Sequence, residues 1–173
     1  MKRIILVLNH VQAGMGSDEN AHLAPGGKKA AMGPGQTLSP FFEEQDAQIV
    51  ATLYCGDQYY LENQEEVTKK FVGFAKKFEA DAILCGPAMQ YPNFGEMAAK
   101  LAISFNQYGL SAVAAMSVEN PATEKYKRQI PIVKMPKKGG IGLNDSFKNM
   151  ARLTAKKAHG QDTTTVEKEV CFW

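Results

Sequence analysis

The sequence lacks the features that mark membrane, disulfide-rich and zinc-binding proteins. No apolar run reaches the roughly 18 residues that a membrane helix needs, and the apolar part of the N-terminus, residues 4–8, is too short for a signal peptide. The three cysteines, Cys55, Cys85 and Cys171, form no Cys-x-x-Cys pair. We therefore expect no metal site, no disulfide framework, no membrane association and a reducing, cytoplasmic compartment.

An excess of charge of one sign is also missing. The chain carries 20 Lys and Arg against 18 Asp and Glu, a formal net charge of +2. Basic residues do not alternate with aromatic ones along a stripe, so we expect no nucleic-acid partner. A length of 173 residues with 45% hydrophobic residues fits one globular domain.

Five short apolar stretches alternate with helical periodicity along the chain. The stretches cover residues 3–11, 48–54, 82–88, 111–116 and 130–135, and Pro131 suggests that the last is an edge strand. Helices are expected from Gly35, Asn63, Asn93 and Asn144, with the three asparagines as caps. This alternation predicts an α/β three-layer sandwich of the flavodoxin/Rossmann-like type, with a mostly parallel sheet of about five strands. Residues 1–160 would form the α/β domain, and residues 161–173 a polar linker or the start of a connection to a second half.

The glycine-rich segment at residues 12–34 is long for a loop in a compact domain, which favours a functional or mobile loop. Its glycines do not match G-x-G-x-x-G, and no helix follows the first strand directly, so a dinucleotide site is not indicated. The start of the segment is also poor in Ser and Thr, which disfavours a flavodoxin phosphate loop.

Polar residues follow several of the predicted strands, and open α/β sheets bind ligands beyond the carboxyl ends of their strands. Asn9 and His10 follow the first strand, and Cys55-Gly56-Asp57 follows the second. Cys55 is a candidate thiol, although no basic residue adjoins it to lower its pKa. Asp57 is either a ligand-binding carboxylate or a turn former, and His10 is either a general base or a structural histidine.

Later in the chain, Cys85 ends the third strand, and Glu119-Asn120 precedes Pro121 after the fourth. Cys85 has a core alternative because cysteine is often buried, and Glu119-Asn120 has a turn alternative. Gly139, Gly140 and Gly142 precede a helix and resemble an anion cradle. No Gly-Lys-Ser/Thr ends this turn, so it is not a nucleotide P-loop.

Five short motifs occur in one order along the chain. They are Gly33-Pro-Gly35, Ile49–Asp57 with Tyr60, Glu62 and Asn63, Cys85–Ala88, Tyr91–Gly95, and Glu119–Pro121 with Tyr126. Together they resemble the N-terminal half of protein B of the clostridial glycine, sarcosine and betaine reductases, and within that family the branch described as related to the selenoprotein. The resemblance extends from Arg3 to about Ala158.

The resemblance implies a cytoplasmic oxidoreductase of anaerobic amino acid reduction that cleaves a C–N bond with thiol or selenol chemistry. A pyruvoyl-bearing subunit would hold an amino substrate as an imine, and a selenolate on protein B would release the amine. We therefore predict catalytic roles for Cys55, Asp57 and Glu119. The predicted substrate-binding residues are Asn9, His10, Gly56, Asn63, Cys85, Gly86 and Asn120, and the predicted anion-binding residues are Gly139, Gly140 and Gly142.

The selenocysteine of that family lies in a second α/β half, and no residue here corresponds to it. The chain is therefore expected to be a truncated or processed piece or a subunit of a split enzyme, inactive alone unless Cys55 serves as nucleophile. Selenocysteine and the pyruvoyl group are expected on a C-terminal selenoprotein half or subunit and on a reductase subunit. The sequence is also compatible with a homo-oligomer. The alternative function is a non-catalytic flavodoxin-like module that binds a partner protein or a small anion.

Overall fold

A six-stranded sheet forms the centre of the computed structural model, which describes all 173 residues. Its strands in chain order are β1 (Lys2–Asn9), β2 (Gly26–Lys28), β3 (Ala47–Cys55), β4 (Ala82–Cys85), β5 (Ala112–Ser117) and β6 (Ile132–Met135). The order across the sheet is β2-β3-β1-β4-β5-β6, and only β2 is antiparallel. The predicted α/β sandwich with a mostly parallel sheet is confirmed, with one strand more than expected.

Strand β1 occupies the middle of the sheet, between β3 and β4. Its apolar run, Ile4–Leu8, is completely buried, as expected for a parallel strand covered on both faces. The register pairs Asn9 with Cys55, so β1 and β3 end side by side. At the far edge of the sheet is β6, which directly follows Pro131, as predicted.

Seven helices cover the two faces of the sheet. They are α1 (Gly35–Glu43), α2 (Asp57–Glu62), α3 (Gln64–Lys77), α4 (Pro92–Gln107), α5 (Pro121–Tyr126), α6 (Leu143–Ala158) and α7 (Thr164–Val170). Helices α1 and α6 pack on one face, while α4 packs on the other and contacts α2, α3 and α5. This arrangement gives three layers. None of the helices combines the length and apolarity needed to cross a membrane.

Two predicted helix starts are wrong by one or two residues. Helix α4 begins at Pro92, so Asn93 lies inside it and does not cap it. Proline is well suited to the first helical position, because its fixed φ matches the helix and its missing N–H would have no partner there. Helix α6 begins at Leu143 after Gly142, so Asn144 is likewise internal.

Part of the segment at residues 12–34 packs against β3. It contains a 3-10 turn at Asp18–Asn20 and the short strand β2. The Thr52 hydroxyl donates to the carbonyl of Ala30 at 2.7 Å and accepts from the amide of Met32 at 3.1 Å. These bonds hold the long loop over the sheet and bring part of it to the carboxyl ends of the strands.

The C-terminal residues, which the sequence suggests are a polar linker, include helix α7. Val166, Val170 and Cys171 are buried, and the backbone of Cys171 forms an isolated antiparallel β-bridge with Val133 of β6. The side chain of Trp173 is 69% exposed, and its indole N–H donates to the carbonyl of Lys168 at 3.3 Å. This segment therefore packs against the edge of the sheet.

Candidate functional site

A cavity of about 490 Å³ opens where the carboxyl ends of β1, β3 and β4 meet. Its walls come from residues 9–12, from Ser17, Asp18 and Ala21 of the long loop, from Asp57, and from residues 91–93. The chain leaves β1 toward β3 on one side and later toward β4 on the other, so the cavity lies at a topological switch point. Doubly wound sheets commonly bind ligands at such points.

The carboxylate of Asp57 lies in the wall of the cavity and is held there by a hydrogen bond from Asn9. Asn9 Nδ2 donates to Asp57 Oδ2 at 3.0 Å, and Asn9 Oδ1 accepts from the amide of Gln12 at 2.9 Å. Asp57 is 8% exposed and forms no ion pair with any Lys, Arg or His. A largely buried carboxylate without a cation is stabilised by a ligand that brings positive charge and N–H donors.

His10 also lines the cavity, and its ring has no partner in the protein. The residue is 2% exposed, and neither Nδ1 nor Nε2 makes a hydrogen bond within the protein. An unpaired buried polar group costs about 1–3 kcal/mol, so such groups are uncommon outside functional sites and water sites. The sequence predicted Asn9, His10 and Asp57 as neighbours at this edge, and the structure brings these three together.

The start of α4 forms the opposite wall. No side chain caps this helix, so the positive end of its dipole faces the cavity without a neutralising group. Asn120 fixes its position by donating from Nδ2 to the carbonyls of Met89 at 3.1 Å and Tyr91 at 3.0 Å. Asn120 Oδ1 accepts from the amide of Ala122, so no polar group of this side chain is free for a substrate. Its role is to position the wall.

Burial keeps the three cysteine thiols away from the cavity and in their protonated form. Cys55 is fully buried, and its Sγ lies 3.6 Å from the carbonyl oxygen of Leu23. Burial, with smaller contributions from the carboxylates of Glu66 and Asp57, raises the pKa of Cys55 to about 12. Burial likewise raises the pKa of Cys85, and that of Cys171 to about 12. All three are therefore protonated at neutral pH, and none lines the cavity.

Gly56 and Gly86 are placed by close backbone packing. The amide of Gly56 donates to the carbonyl of Leu23 at 2.8 Å, and a Cβ there would collide with the Ala21 carbonyl oxygen. Gly86 has φ +123° and would bring a Cβ to 2.7 Å from the Ala115 carbonyl oxygen. Neither glycine lines the cavity, so both act on the site through the loops that they allow to approach.

The remaining predicted residues lie outside the cavity. Glu119 Oε1 accepts from the amide of Lys138 at 2.7 Å and joins the loops after β5 and β6. Asn63 occupies the position before α3, as predicted, but its Nδ2 donates to the carbonyl of Tyr59 at 3.0 Å. The predicted anion-binding turn, Gly139, Gly140 and Gly142, precedes α6 and does not contribute to the cavity.

Several cavity residues were not among the predicted site residues. They are Val11, Gln12, Ser17, Asp18, Ala21, Tyr91, Pro92 and Asn93. The only sequence signals were the unusual length of the 12–34 loop and the Tyr91–Gly95 motif.

No group of three or more His, Cys, Asp or Glu side chains is arranged to hold a metal ion. A second cavity of about 400 Å³, between residues 127–131 and α7, contains none of the predicted site residues.

An apolar rim surrounds the carboxyl edge of the sheet. Four of the eight exposed large hydrophobic residues lie in loops that follow strands on this side, and a fifth is the first residue of α6. They are Val11, Tyr91, Val118, Ile141 and Leu143, and Ile141 is 96% exposed. Apolar side chains concentrated on one side of a soluble domain are typical of a surface that contacts another protein segment.

Comparison with known proteins gives one consistent family. Residues 1–172 match the family model described as glycine/sarcosine/betaine reductase selenoprotein B. A sarcosine reductase complex component B subunit beta from Peptoclostridium acidaminophilum is 31% identical over 160 residues, 92% of this chain and 36% of that protein. A glycine reductase complex component B subunit gamma from Carboxydothermus hydrogenoformans is 32% identical over 168 residues, 96% of this chain and 38% of that protein.

A third relative is named for betaine. The betaine reductase complex component B subunit beta from Peptoclostridium acidaminophilum is 25% identical over 173 residues, 99% of this chain and 39% of that protein. The chain thus covers 36% to 39% of the length of these three relatives. No solved structure matches the chain.

Proposed function

Because the chain belongs to the glycine/sarcosine/betaine reductase selenoprotein B family, we propose that it is part of component B of a reductase complex. The reaction would be the reductive cleavage of the C–N bond of a small amino substrate, with two electrons supplied by a dithiol and release of the amine. The family match over residues 1–172 carries this assignment. The geometry of the cavity supports a division of roles within it.

In this division the chain binds and orients the substrate but does not attack it. Asp57, held by Asn9, would accept the ammonium group of the substrate, and the start of α4 would face its carboxylate. The protonated, buried thiols of Cys55 and Cys85 do not fit a nucleophile. Selenocysteine, which would supply the nucleophilic selenol, and the pyruvoyl group therefore belong on partner segments.

The apolar rim supports a partner at the mouth of the cavity. The relatives are components of multi-subunit reductase complexes by name, and this chain covers 36% to 39% of their length. We propose that the rim contacts the remaining, selenocysteine-bearing part of component B and that this contact closes the cavity. Glu119 lies on the same side and would position the loops of this surface.

Amine release tests the assignment. The chain alone, given glycine, sarcosine or betaine and excess dithiol, is expected to release no amine. Added to a sarcosine reductase complex whose component B lacks the region aligned with this chain, the chain should restore release. Amine release by the chain alone would show that it carries its own nucleophile. Stable assembly without restored release would contradict a substrate-orienting role.

The alternative, a non-catalytic module that binds a small anion, has weaker support. The turn at Gly139–Gly142 does not contribute to the cavity, and the amide of Lys138 beside it already donates to the Glu119 carboxylate. Calorimetric titration with phosphate and acetyl phosphate distinguishes the two functions, because only the module should bind these anions in the absence of partners.

A further inference from the structure

The polar groups of the cavity offer hydrogen-bond acceptors to a cation. Asp57 keeps acceptor capacity beyond the single bond from Asn9, and Asp18 adds a second carboxylate to the wall. No Lys or Arg lines the cavity. His10 adds an imidazole ring to the wall, and neither of its ring nitrogens is used within the protein.

The same wall is poor in aromatic rings. Tyr91 is the only aromatic residue among the eleven that line the cavity, and it is 47% exposed. Proteins recognise quaternary ammonium groups, which have no N–H to donate, through several aromatic faces that surround the methyl groups. This cavity has carboxylates where such a cage would need rings.

Size does not discriminate between small amino substrates here. A cavity of about 490 Å³ has room for an amino acid with or without N-methyl groups. The start of α4 is the same for every ligand that has a carboxylate. Selection therefore depends on what the ligand nitrogen can donate.

We propose that the cavity selects amino acids whose nitrogen retains at least one N–H donor, that is primary, secondary and tertiary ammonium compounds, over quaternary ammonium compounds. This inference rests on the proposed function and narrows its substrate class by excluding betaine-like molecules. A charge-assisted N–H to carboxylate bond is about twice as strong as a neutral one, and a trimethylammonium group cannot form it.

Titration of the full 173-residue chain with glycine, sarcosine, N,N-dimethylglycine and betaine tests this directly. The four ligands share the carboxylate and the positive charge and differ in N–H donors, which decrease from three to none. Calorimetry is expected to show at least tenfold weaker binding of betaine than of glycine or sarcosine. Equal binding of all four, tighter binding of betaine, or no binding of any would overturn the inference.

Two substitutions test whether the charge of Asp57 causes the selectivity. Asp57→Asn keeps an oxygen for the Asn9 bond and should reduce the difference between glycine and betaine to less than threefold. Asp162→Asn makes the same charge change at an exposed residue that bonds only Thr164, and should leave the series unchanged. If the tenfold difference in affinity between glycine and betaine remains in Asp57→Asn, the proposed role of Asp57 is wrong. If that variant does not fold, the wild-type series still decides the proposal.

Failure here and failure of the proposed function remain distinguishable. If the complemented complex releases amine but the chain binds all four ligands equally, the reductase assignment is kept and the proposed selectivity is wrong. If the chain binds betaine much more weakly than glycine but amine release is not restored, the cavity is an amino acid site and the reductase role is wrong.

Discussion

Cys55 and Asp57 are separated by one residue but belong to two different regions. Cys55 lies with Cys85 in a buried, apolar layer where thiols are held protonated. Asp57 lies in the polar wall of the cavity, bonded to Asn9. The change occurs at Gly56, where the last residue of β3 gives way to the first of α2. A motif of reactive residue types therefore indicates chemistry only at the positions whose side chains reach a cavity.

Substitution of Gly56 should have the largest effect, because it disturbs both regions at once. In Gly56→Ala the new Cβ would collide with the Ala21 carbonyl oxygen and lie 2.5 Å from the Leu23 amide nitrogen, both of them backbone atoms. Overpacking of this kind costs about 1–3 kcal/mol, and fixed backbone favours the upper end. Urea denaturation measures the loss in the free energy of unfolding.

The matched control is Gly73→Ala in the middle of α3. The position that its new Cβ would occupy is open space, with no neighbouring side chain within 4 Å. Alanine is the better helix former by roughly 0.5–1 kcal/mol, so this variant should be slightly more stable than the wild type. Destabilisation of both variants by the same amount would show that the contact with Ala21 is not the cause.

Cys85→Ser tests the apolar character of the thiol layer. The Cys85 side chain makes no hydrogen bond and is completely buried, so a serine hydroxyl there would lack a partner. We expect a loss of about 1–3 kcal/mol in unfolding free energy with unchanged affinity for amino ligands. A loss of ligand binding in a stably folded Cys85→Ser protein would place this thiol in the site after all.

Alkaline pH should lower the stability of the fold more gradually, through the buried thiols. Unfolded cysteines titrate near pH 8.5, whereas Cys55 and Cys171 have a folded pKa of about 12. Between these values the unfolded chain loses protons that the folded chain keeps, so stability falls as the pH rises above about 8.5. The expected slope is about 1 kcal/mol per pH unit for each thiol.

Urea unfolding at pH 8 and pH 10 measures this fall, and Cys55→Ala should make it shallower. Native Cys55 should also resist alkylation by iodoacetamide at pH 8 while the urea-unfolded chain reacts readily. Equal stability at the two pH values would mean that the thiols are less buried than the structure indicates.

Asp57→Asn should have the smallest effect on stability. The Asn9 bond can persist because asparagine retains an acceptor oxygen, so the free energy of unfolding should change by less than about 1 kcal/mol. Its effect should instead appear in ligand binding, the reverse of Cys85→Ser. A thermal melt beside the calorimetric titration records both quantities on one sample.

The sequence predicts the layers and the ligand edge because these depend on local patterns. Continuous apolar runs identify the buried parallel strands, and their alternation with helical segments predicts the layers. Strand β2 escapes prediction since Gly26-Gly27-Lys28 has no strand propensity of its own. It forms through pairing with β3 at the edge of the sheet.

The site is predictable only in part. Asn9, His10 and Asp57 follow strands that end together, and that convergence can be read from the topology. The burial of Cys55 depends on the long loop whose Leu23 carbonyl covers it, and no local pattern encodes that contact. Asn120 looks like a ligand residue in the sequence, but tertiary carbonyls occupy its amide.

The position of Trp173 determines what fluorescence can report about this protein. It is the sole tryptophan, it is mostly exposed, and it adjoins α7 at the β6 edge, away from the cavity. Its emission will resemble that of a solvated indole and will be unaffected by amino acids in the cavity. A blue shift will report burial of the β6 edge by another protein segment. One optical signal therefore separates protein contacts at the β6 edge from ligand binding without any added label.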